Sequence, residues 1–355
     1  MIVDRTLSRA VLIGALLTLA ALGGLVYFLN FLAQIHNIGT GDFSVSTALV
    51  FAGLTLPQSL YDILPVATLI GALFALGAMA AHQELMILRV AGANLWRIAR
   101  AVLWGGLALA LLTVLLGEFI APPAKRIAET LRVQKMYAQI GAIGSGGLWI
   151  KSGRDIVHIM NVESSTQLFG LRIYTLDAEQ GIAAVREAAG ATFDDGHWTL
   201  NDVHGTRFLD GRTELIQAAH SPWPAFVLPS VFETLVVTPD NLSWRKLASY
   251  INYLHANGLD SSRYETAFWH KMAIPVSVLL MALLALPFSM GMGGMRSGGV
   301  GQRLALGVGI GLAYYLLDRT VLEAGQGFHL APLVAAWIPT ALLAIAVIIA
   351  MRRAK

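Results

Sequence analysis

Four basic residues lie within eleven positions near the middle of the chain, and their types indicate anion binding. They are Lys125, Arg126, Arg132 and Lys135. An arginine guanidinium can hold a phosphate through two parallel hydrogen bonds, and a lysine adds a compact positive charge. Arg132 and Lys135 are nearly one turn apart and so share a side of a helix. This cluster predicts a site for a phosphorylated group such as a lipid headgroup, with a solvated helix face as the alternative.

A second group of residues lies in the short segment HQELMILRVAG, residues 82–92. The segment predicts one or two helical turns with Leu85 and Leu88 on one side and Glu84 near the start. Such a helix at the surface of a membrane protein can present a contact to a soluble motor. The alternative is an ordinary interfacial loop whose Arg89 extends to lipid phosphates.

Patterns for hydrolytic chemistry are absent from the sequence. It contains no phosphate-binding loop, no H-E-x-x-H and no G-x-S-x-G, and the chain has no cysteine. The histidines of the central region are scattered, so we expect structural or solvated roles for them: His158, His197, His204 and His220. The sequence therefore predicts no catalytic residue, no metal site and no cofactor bound by this chain.

The elements that position these groups are membrane helices. Hydrophobic residues form 56% of the chain and charged residues 13%, which is too apolar for a soluble fold. A helix needs about 20 residues to cross the hydrocarbon layer. Six runs without Asp, Glu, Lys or Arg come close to that length or exceed it: 10–41, 63–83, 101–117, 272–295, 304–317 and 324–351. We predict six transmembrane helices, three on each side of a central polar region.

The central region has the pattern of a β domain. Short β-prone runs separated by turn residues indicate a sandwich or open barrel. These runs are 148–151, 156–160, 170–176, 183–188, 197–200, 203–208 and 213–218. Helical linkers are expected at 125–137 and 243–257.

The predicted domain boundaries follow from these elements. They are 1–121 for the first three membrane helices with the short helix near 82–92, 122–265 for the β domain with its linkers, and 266–355 for the last three membrane helices. The predicted fold is thus a helical membrane protein with one inserted all-β domain.

The basic residues beside the helices predict the orientation in the membrane. Cytoplasmic connections carry an excess of Lys and Arg. Alternate connections carry that excess here: Arg5 and Arg9; Arg89, Arg97 and Arg100; Arg296 and Arg303; Arg352, Arg353 and Lys355. Arg319 is an exception that is expected to pair with the adjacent Asp318. Both termini are therefore predicted to be cytoplasmic and the central domain periplasmic, and no nucleic-acid partner is expected.

Three acidic residues lie close to the predicted outer ends of the helices: Asp62, Glu118 and Asp318. Transporters that run on protons or sodium place such groups near the bilayer midplane. The positions of these three residues therefore disfavour a secondary transporter.

Longer segments of the chain resemble a known family. They are VDRTLSRAV, LTLPQSLYDILPVATLIGALFALGAMAAHQELMILRVAGANLWRI, GEFIAPPAKRIAETLR, GLWIKSGRDIVHI and RYETAFWHKMAIPVSVLLMALLALPFSM. In order and spacing they are similar to the lipopolysaccharide-export permease family (LptF/LptG), and to its LptG branch more than to its LptF branch. The resemblance extends over nearly the whole chain.

The resemblance implies a non-enzymatic permease subunit of the inner membrane whose β domain is a periplasmic jellyroll. The implied partners are an LptF-like paralogous permease, a dimeric cytoplasmic ATPase (LptB-like) that uses ATP and Mg, and a single-span jellyroll protein (LptC-like). The implied function is extraction of lipopolysaccharide from the inner membrane and its transfer to a periplasmic bridge toward the outer membrane. The alternative is the transmembrane subunit of another lipid or glycolipid transporter.

The resemblance also implies roles for individual residues. The coupling helix of the family corresponds here to Glu84, Leu85, Met86, Leu88 and Arg89. Arg132 matches a basic position that faces the phosphates of the glycolipid. Near the end of the first helix, where family members can carry Lys, this chain has Asn30, with His36 further on. A headgroup contact from the first helix is therefore in doubt.

The acyl chains of such a substrate require an apolar path. Each buried CH₂ contributes about 0.8 kcal/mol, so extracting several chains costs tens of kcal/mol unless apolar walls receive them. Candidates to line such a cavity are Leu25, Phe28 and Leu32 on the first membrane helix and Leu312, Tyr315 and Leu316 on the fifth. The alternative is that these side chains face lipid.

Overall fold

The computed structural model describes residues 2–90, 94–136, 140–144, 147–164, 166–177, 181–194, 196–209, 212–223, 239, 242–256, 260–290, 300–328 and 330–353. Within these ranges, six helices are long and apolar enough to cross a membrane. Their spans are Asp4–Asn37, Val45–Ala81, Leu95–Met136, Ser262–Ser289, Ala305–Gly325 and Pro332–Arg353. The predicted arrangement of three helices, an inserted β domain and three helices is confirmed.

The helices are labelled in chain order. They are α1 (Ile2–Leu32), α2 (Val45–Ala81), α3 (Glu84–Val90), α4 (Leu95–Leu115), α5 (Ala121–Met136), α6 (Trp244–Ala256), α7 (Ser262–Ser289), α8 (Val300–Gly327) and α9 (Pro332–Arg353). A 3₁₀ turn at Ile35–Asn37 follows α1, and a π-helical segment at Leu116–Ile120 joins α4 to α5. The two linker helices expected at 125–137 and 243–257 are found as α5 and α6.

The chain divides into two units by its internal contacts. The first contains Met1–Asn30, Gly53–Lys125 and Pro239–Lys355, and the second contains Phe31–Ala52 and Arg126–Thr238. The first unit is helical and the second holds the sheet. The boundaries predicted between residues 121 and 122 and between 265 and 266 stay predictions.

Close helix contacts build the core of the first unit. α7 packs on both α4 and α9. α1 and α2 meet at two glycines, because a Cβ added at Gly14 would meet the carbonyl oxygen of Gly71, and one added at Gly71 would meet the backbone of Gly14 and Ala15. Small residues at membrane-helix crossings allow such backbone contact and the dispersion energy that comes with it.

The π-helical segment leaves the carbonyl of Gly117 without a donor from its own helix. Pro122 has no N–H, so the carbonyl of Gly117 lacks the i+5 donor that a π-helix would supply. Its i+4 donor, the N–H of Ala121, bonds to the carbonyl of Leu116 instead. Gly117 also lies against Tyr61, since an added Cβ would overlap the ring of that tyrosine. The segment therefore presents one carbonyl that needs a partner from another element.

The described strands of the second unit form one antiparallel sheet in the order β1 to β7. The strands are β1 (Ile140–Gly144), β2 (Gly147–Ser152), β3 (Asp155–Ser164), β4 (Gln167–Leu176), β5 (Ile182–Asp194), β6 (His197–Leu209) and β7 (Arg212–Trp223). Each strand pairs with its neighbours in the sequence, which is the pattern of a meander. One face is buried and includes Leu148, Val157, Ile173, Trp198 and Trp223.

Two details of the sheet differ from the sequence prediction. Strand β1 lies outside the predicted runs, since its glycine-containing sequence has low β propensity. The separation of 197–200 from 203–208 was wrong, because both belong to β6. Asp202 looks like a turn residue and has a φ of 53°, yet the pairing with β5 and β7 continues in register on both sides of it.

Candidate functional site

The basic cluster lies on α5, and its best-defined member is Arg132. The guanidinium carbon of Arg132 is 5.6 Å from the centroid of the Phe51 ring, within the range of a cation–π interaction. Its Nε is 3.8 Å from the carboxylate of Glu129, and 26% of its side chain is exposed. The alternative of a freely solvated side chain does not describe Arg132, because an aromatic face and a carboxylate hold it in place.

The other three basic residues have different exposures. Lys125 and Arg126 are half-buried, whereas Lys135 is exposed. The carbonyl of Lys135 accepts a hydrogen bond of 2.8 Å from the N–H of Asp42. This contact ties the end of α5 to the loop before α2, where Gly41 has a φ of +56°. Their role as a headgroup site stays a prediction.

The predicted cavity residues lie on helices that this chain leaves uncovered. Leu25, Phe28 and Leu32 on α1 are exposed, as are Leu312 and Leu316 on α8, and Tyr315 is half-buried. In the most apolar stretch of each span, 22% of the α1 residues and 11% of the α8 residues are buried, against 39–61% in the other four candidate spans. These two apolar faces therefore require lipid, a substrate or another protein to cover them.

Asn30 of α1 has contacts within the first unit. Its side-chain amide donates to Ser59 Oγ at 3.1 Å and to Thr55 Oγ1 at 3.4 Å. These bonds connect α1 to α2. His36, in the 3₁₀ turn after α1, is exposed.

The predicted short helix is present as α3, and it has two different faces. Gln83, with a φ of 60°, makes the turn that separates α3 from α2. Leu85 is 3% exposed and lies in the apolar core of the first unit, and Leu88 packs against that core. The side chains of Met86 and Arg89 lie outside the described part of the structure.

The opposite face of α3 is available to a partner. Glu84 is exposed, Ile87 is 63% exposed and Val90 is 84% exposed. Leu85 and Leu88 therefore anchor the helix, while Glu84, Ile87 and Val90 present a mixed acidic and apolar surface. The sequence reasoning did not include Ile87 or Val90, although their spacing from Glu84 places them on one side of the helix.

A buried polar cluster in the first unit was missed at the level of sequence, and Lys271 of α7 is its centre. Lys271 Nζ donates to the carbonyls of Leu242 at 2.7 Å and Gly117 at 3.2 Å, and it lies 3.9 Å from Glu118 Oε1. The Lys271 side chain is 8% exposed. Both carboxylate oxygens of Glu118 accept the N–H of Trp244 at 3.0 Å. Lys271 thus satisfies the carbonyl left without a donor by the π-helical segment.

The other two acidic residues also have partners in the first unit. His270 Nε2 is 3.0 Å from Asp318 Oδ2, and Arg319 lies 3.9 Å from Asp62 Oδ2. Asp318 and Arg319 are adjacent in the sequence and have these partners on two different helices, because adjacent helical residues point to different sides. Gln58 also donates to Asp62 at 3.1 Å. These groups line a cavity of about 260 Å³.

Two histidines of the sheet form polar contacts with neighbouring side chains. His204 lies 3.0 Å from Asp202, and His220 lies 3.0 Å from Asn201. Within the described ranges, no group of three or more His, Cys, Asp or Glu residues is arranged to hold a metal ion.

Comparisons with known proteins cover nearly the whole chain. The model of the family described as lipopolysaccharide export system permease LptF/LptG matches residues 5–353. The chain is 31% identical over 345 residues to the lipopolysaccharide export system permease protein LptG of Haemophilus influenzae, which covers 96% of this chain and 95% of that protein. It is 30% identical over 343 residues to LptG of Escherichia coli K12, with the same coverage of both chains. The matched regions include the six spans and the sheet.

Proposed function

The chain belongs to the lipopolysaccharide export permease LptF/LptG family, and from this premise we propose that it is one of two permease subunits in an ATP-driven lipopolysaccharide exporter. As a member of this family it is a multi-pass inner-membrane protein. The proposed complex also contains an LptF-like paralogue, a dimeric cytoplasmic LptB-like ATPase and a single-span LptC-like protein. The proposed orientation has cytoplasmic termini and a periplasmic sheet domain, from the distribution of basic residues.

The observation that carries the proposal is the pair of uncovered apolar helices. Only 22% and 11% of the apolar stretches of α1 and α8 are buried within the described chain. A substrate with several acyl chains needs walls of this kind on its way out of the bilayer. We propose that α1 and α8, together with the paralogue, form the cavity that receives lipopolysaccharide, with Phe28 and Leu312 among the lining residues.

The basic residues of α5 serve the charged end of the same substrate. Arg132 is held by Phe51 and Glu129 yet keeps 26% of its side chain exposed. An arginine oriented in this way can accept a phosphate without first losing the conformational freedom of a fully solvated side chain. We propose that Lys125, Arg126, Arg132 and Lys135 contact the phosphates as the acyl chains leave the cavity.

Energy for transport must come from another subunit, since the sequence holds no nucleotide-binding loop. We propose that the exposed face of α3 docks on the ATPase. Because Leu85 is buried in the core of the membrane helices and Leu88 packs against that core, a movement of α3 is transmitted directly to those helices.

Reconstitution tests the proposed function. The purified chain alone is expected to hydrolyse ATP at the background rate. Vesicles that contain the chain, its paralogue and the ATPase are expected to hydrolyse ATP and to transfer lipopolysaccharide to an acceptor in an ATP-dependent manner. ATP hydrolysis by the isolated chain that disappears on mutation of one of its own residues would contradict the proposal. So would vesicles that export other glycolipids but do not export lipopolysaccharide.

Charge reversal at Arg132 tests the headgroup site. Arg132→Glu is expected to lower lipopolysaccharide-stimulated ATP hydrolysis and transfer by roughly tenfold or more, because a hydrogen bond to a charged group contributes about 1.5–3 kcal/mol. Arg132→Lys keeps the charge without the paired hydrogen bonds and is expected to show an intermediate loss. The measurement is transfer from vesicles, together with photo-crosslinking to lipopolysaccharide from position 132.

The matched control is Lys246→Glu, a charge reversal at an exposed position of α6. It is expected to leave transfer unchanged. If a crosslinker at position 132 never captures lipid while sites inside the sheet domain do, and Arg132→Glu transfers normally, the cluster has no part in headgroup binding.

A further inference from the structure

A second apolar groove lies on the first unit, away from α1 and α8. It has a volume of about 700 Å³, and its walls come from α4 and α9. Leu280 and Leu283 of α7 line it between those two helices, consistent with the packing of α7 on both. Trp96 of α4 and Ile348 of α9, which also line it, are 63% and 52% exposed. All three helices belong to candidate membrane spans, so lipid is the medium that surrounds this groove.

Two exposed arginines belong to the lining of the groove. Arg100 and Arg352 both line it. Arg100 lies four residues after Trp96 and three before Leu103, so these three side chains share one face of α4. Arg352 lies four residues after Ile348 and so shares a face of α9 with it. The groove therefore combines two basic side chains with an otherwise apolar lining.

Arg100 shares one carboxylate, that of Asp4, with Arg97. It lies in the second turn of α4, near the helix end whose dipole repels positive charge, and Arg97 lies in the first turn. The carboxylate of Asp4 lies 3.9 Å from Arg97 and also interacts electrostatically with Arg100. Arg352, by contrast, lies at the last turn of α9, where the dipole favours a cation. An anionic headgroup in the groove would add to the single charge of Asp4 in offsetting the positive charge of Arg100, and it would also interact with Arg352.

We propose that this groove binds one glycerophospholipid with an anionic headgroup. Its phosphate and headgroup interact with Arg100 and Arg352, and an acyl chain lies along Leu103, Leu280 and Leu283. The wall formed by residues 344–352 extends over about 12 Å of helix, enough for a substantial part of an acyl chain. Basic residues at the ends of membrane helices attract acidic lipids in this way. In the orientation proposed above, this lipid belongs to the cytoplasmic leaflet.

The site is separate from the proposed export path. Its lining comes from α4, α7 and α9, whereas the apolar faces assigned to lipopolysaccharide lie on α1 and α8. A resident phospholipid there fills a space between helices and neutralises two basic residues. The chemistry of the groove selects for headgroup charge more than for acyl-chain length.

Native mass spectrometry of the exporter complex in lipid nanodiscs tests this inference. The nanodiscs contain equal amounts of phosphatidylglycerol and phosphatidylethanolamine. The parental protein is expected to retain phosphatidylglycerol preferentially after the nanodisc is removed. Arg100→Gln/Arg352→Gln is expected to weaken that retention by roughly tenfold, which corresponds to ~1.4 kcal/mol. Arg353→Gln, which removes the neighbouring exposed arginine outside the groove, is expected to retain the parental level.

A second variant tests the apolar part of the groove. Ala344→Phe places a ring in the groove and is expected to reduce retention of both phospholipids, with size-exclusion chromatography used to verify that the complex stays intact. Equal retention of the two phospholipids by the parental protein would overturn the inference, as would unchanged retention in the double arginine variant. Recovery of lipopolysaccharide or a protein segment crosslinked to Leu103 in place of phospholipid would also overturn it.

Discussion

Glu84→Lys is expected to reduce lipopolysaccharide transfer by reconstituted vesicles by roughly 5–150-fold, the usual range for coupling between two sites. Glu84 is exposed at the start of α3, so it is available to a basic or polar groove on the ATPase. Reversal of its charge places two like charges at the proposed interface, and such contacts cost several kcal/mol. Leu85 stays buried in the core, so the fold of α3 is expected to persist.

Two further variants separate charge from structure at this site. Glu84→Gln removes the charge without reversal and is expected to cause a smaller loss of transfer. Glu214→Lys makes the same charge reversal at an exposed position of β7 and is expected to transfer at the parental rate. The assembled complex is quantified by size-exclusion chromatography, and transfer is followed with ATP present. A Glu84→Lys complex that assembles, hydrolyses ATP and transfers at the parental rate would show that α3 does not couple through this residue.

Lys271→Met is expected to lower the free energy of unfolding of the membrane unit by about 3–5 kcal/mol, the usual cost of removing one partner of a buried ion pair. The side chains of Lys271 and Glu118 are 8% and 14% exposed, so water cannot replace the lost ammonium easily. The carbonyls of Gly117 and Leu242 would lose their bonds to Nζ as well. Chemical unfolding in detergent, followed by tryptophan fluorescence, measures the change.

The double variant Lys271→Met/Glu118→Gln is expected to recover part of this loss, because it removes the buried unpaired carboxylate. Lys246→Met, on the exposed side of α6, is expected to change the stability by about 0.5 kcal/mol or less. Equal stability of Lys271→Met and Lys246→Met would show that the buried cluster contributes little.

Features that depend on local pattern were predictable from the sequence. The charge-free runs predicted the six spans, and α3 follows from the helical spacing of Leu85 and Leu88 with Glu84 near the start of the segment. The family resemblance is confirmed by the match over residues 5–353. The division of β6 failed because Asn201 and Asp202 have turn propensities, whereas cross-strand pairing with β5 and β7 keeps the strand continuous.

Contacts between residues distant in the sequence were not predictable. Glu118 meets the backbone of Trp244, 126 positions later, and His270 meets Asp318, 48 positions later. No local pattern encodes such pairs. One signal was available in the sequence, because Pro122 and Pro123 follow Glu118. Proline has no N–H, so a backbone carbonyl in the preceding turn lacks a donor. This pattern predicts a polar partner from another helix at that depth in the membrane. The same limit applies to α3, where burial of Leu85 became visible only with the surrounding helices in place.

The two halves of α1 are held by contacts of different strength. Its first half is fixed by the buried residues Leu7, Val11, Ala15 and Leu19, spaced one turn apart, and by the backbone contact at Gly14. Its second half, where Leu25 and Phe28 are exposed, is linked to α2 by the two hydrogen bonds of Asn30. Two neutral hydrogen bonds contribute about 1–3 kcal/mol in total, whereas each buried aliphatic side chain contributes about as much alone. A small tilt at the fixed end is therefore amplified at the more exposed end, and the two bonds of Asn30 contribute to the resistance to that tilt.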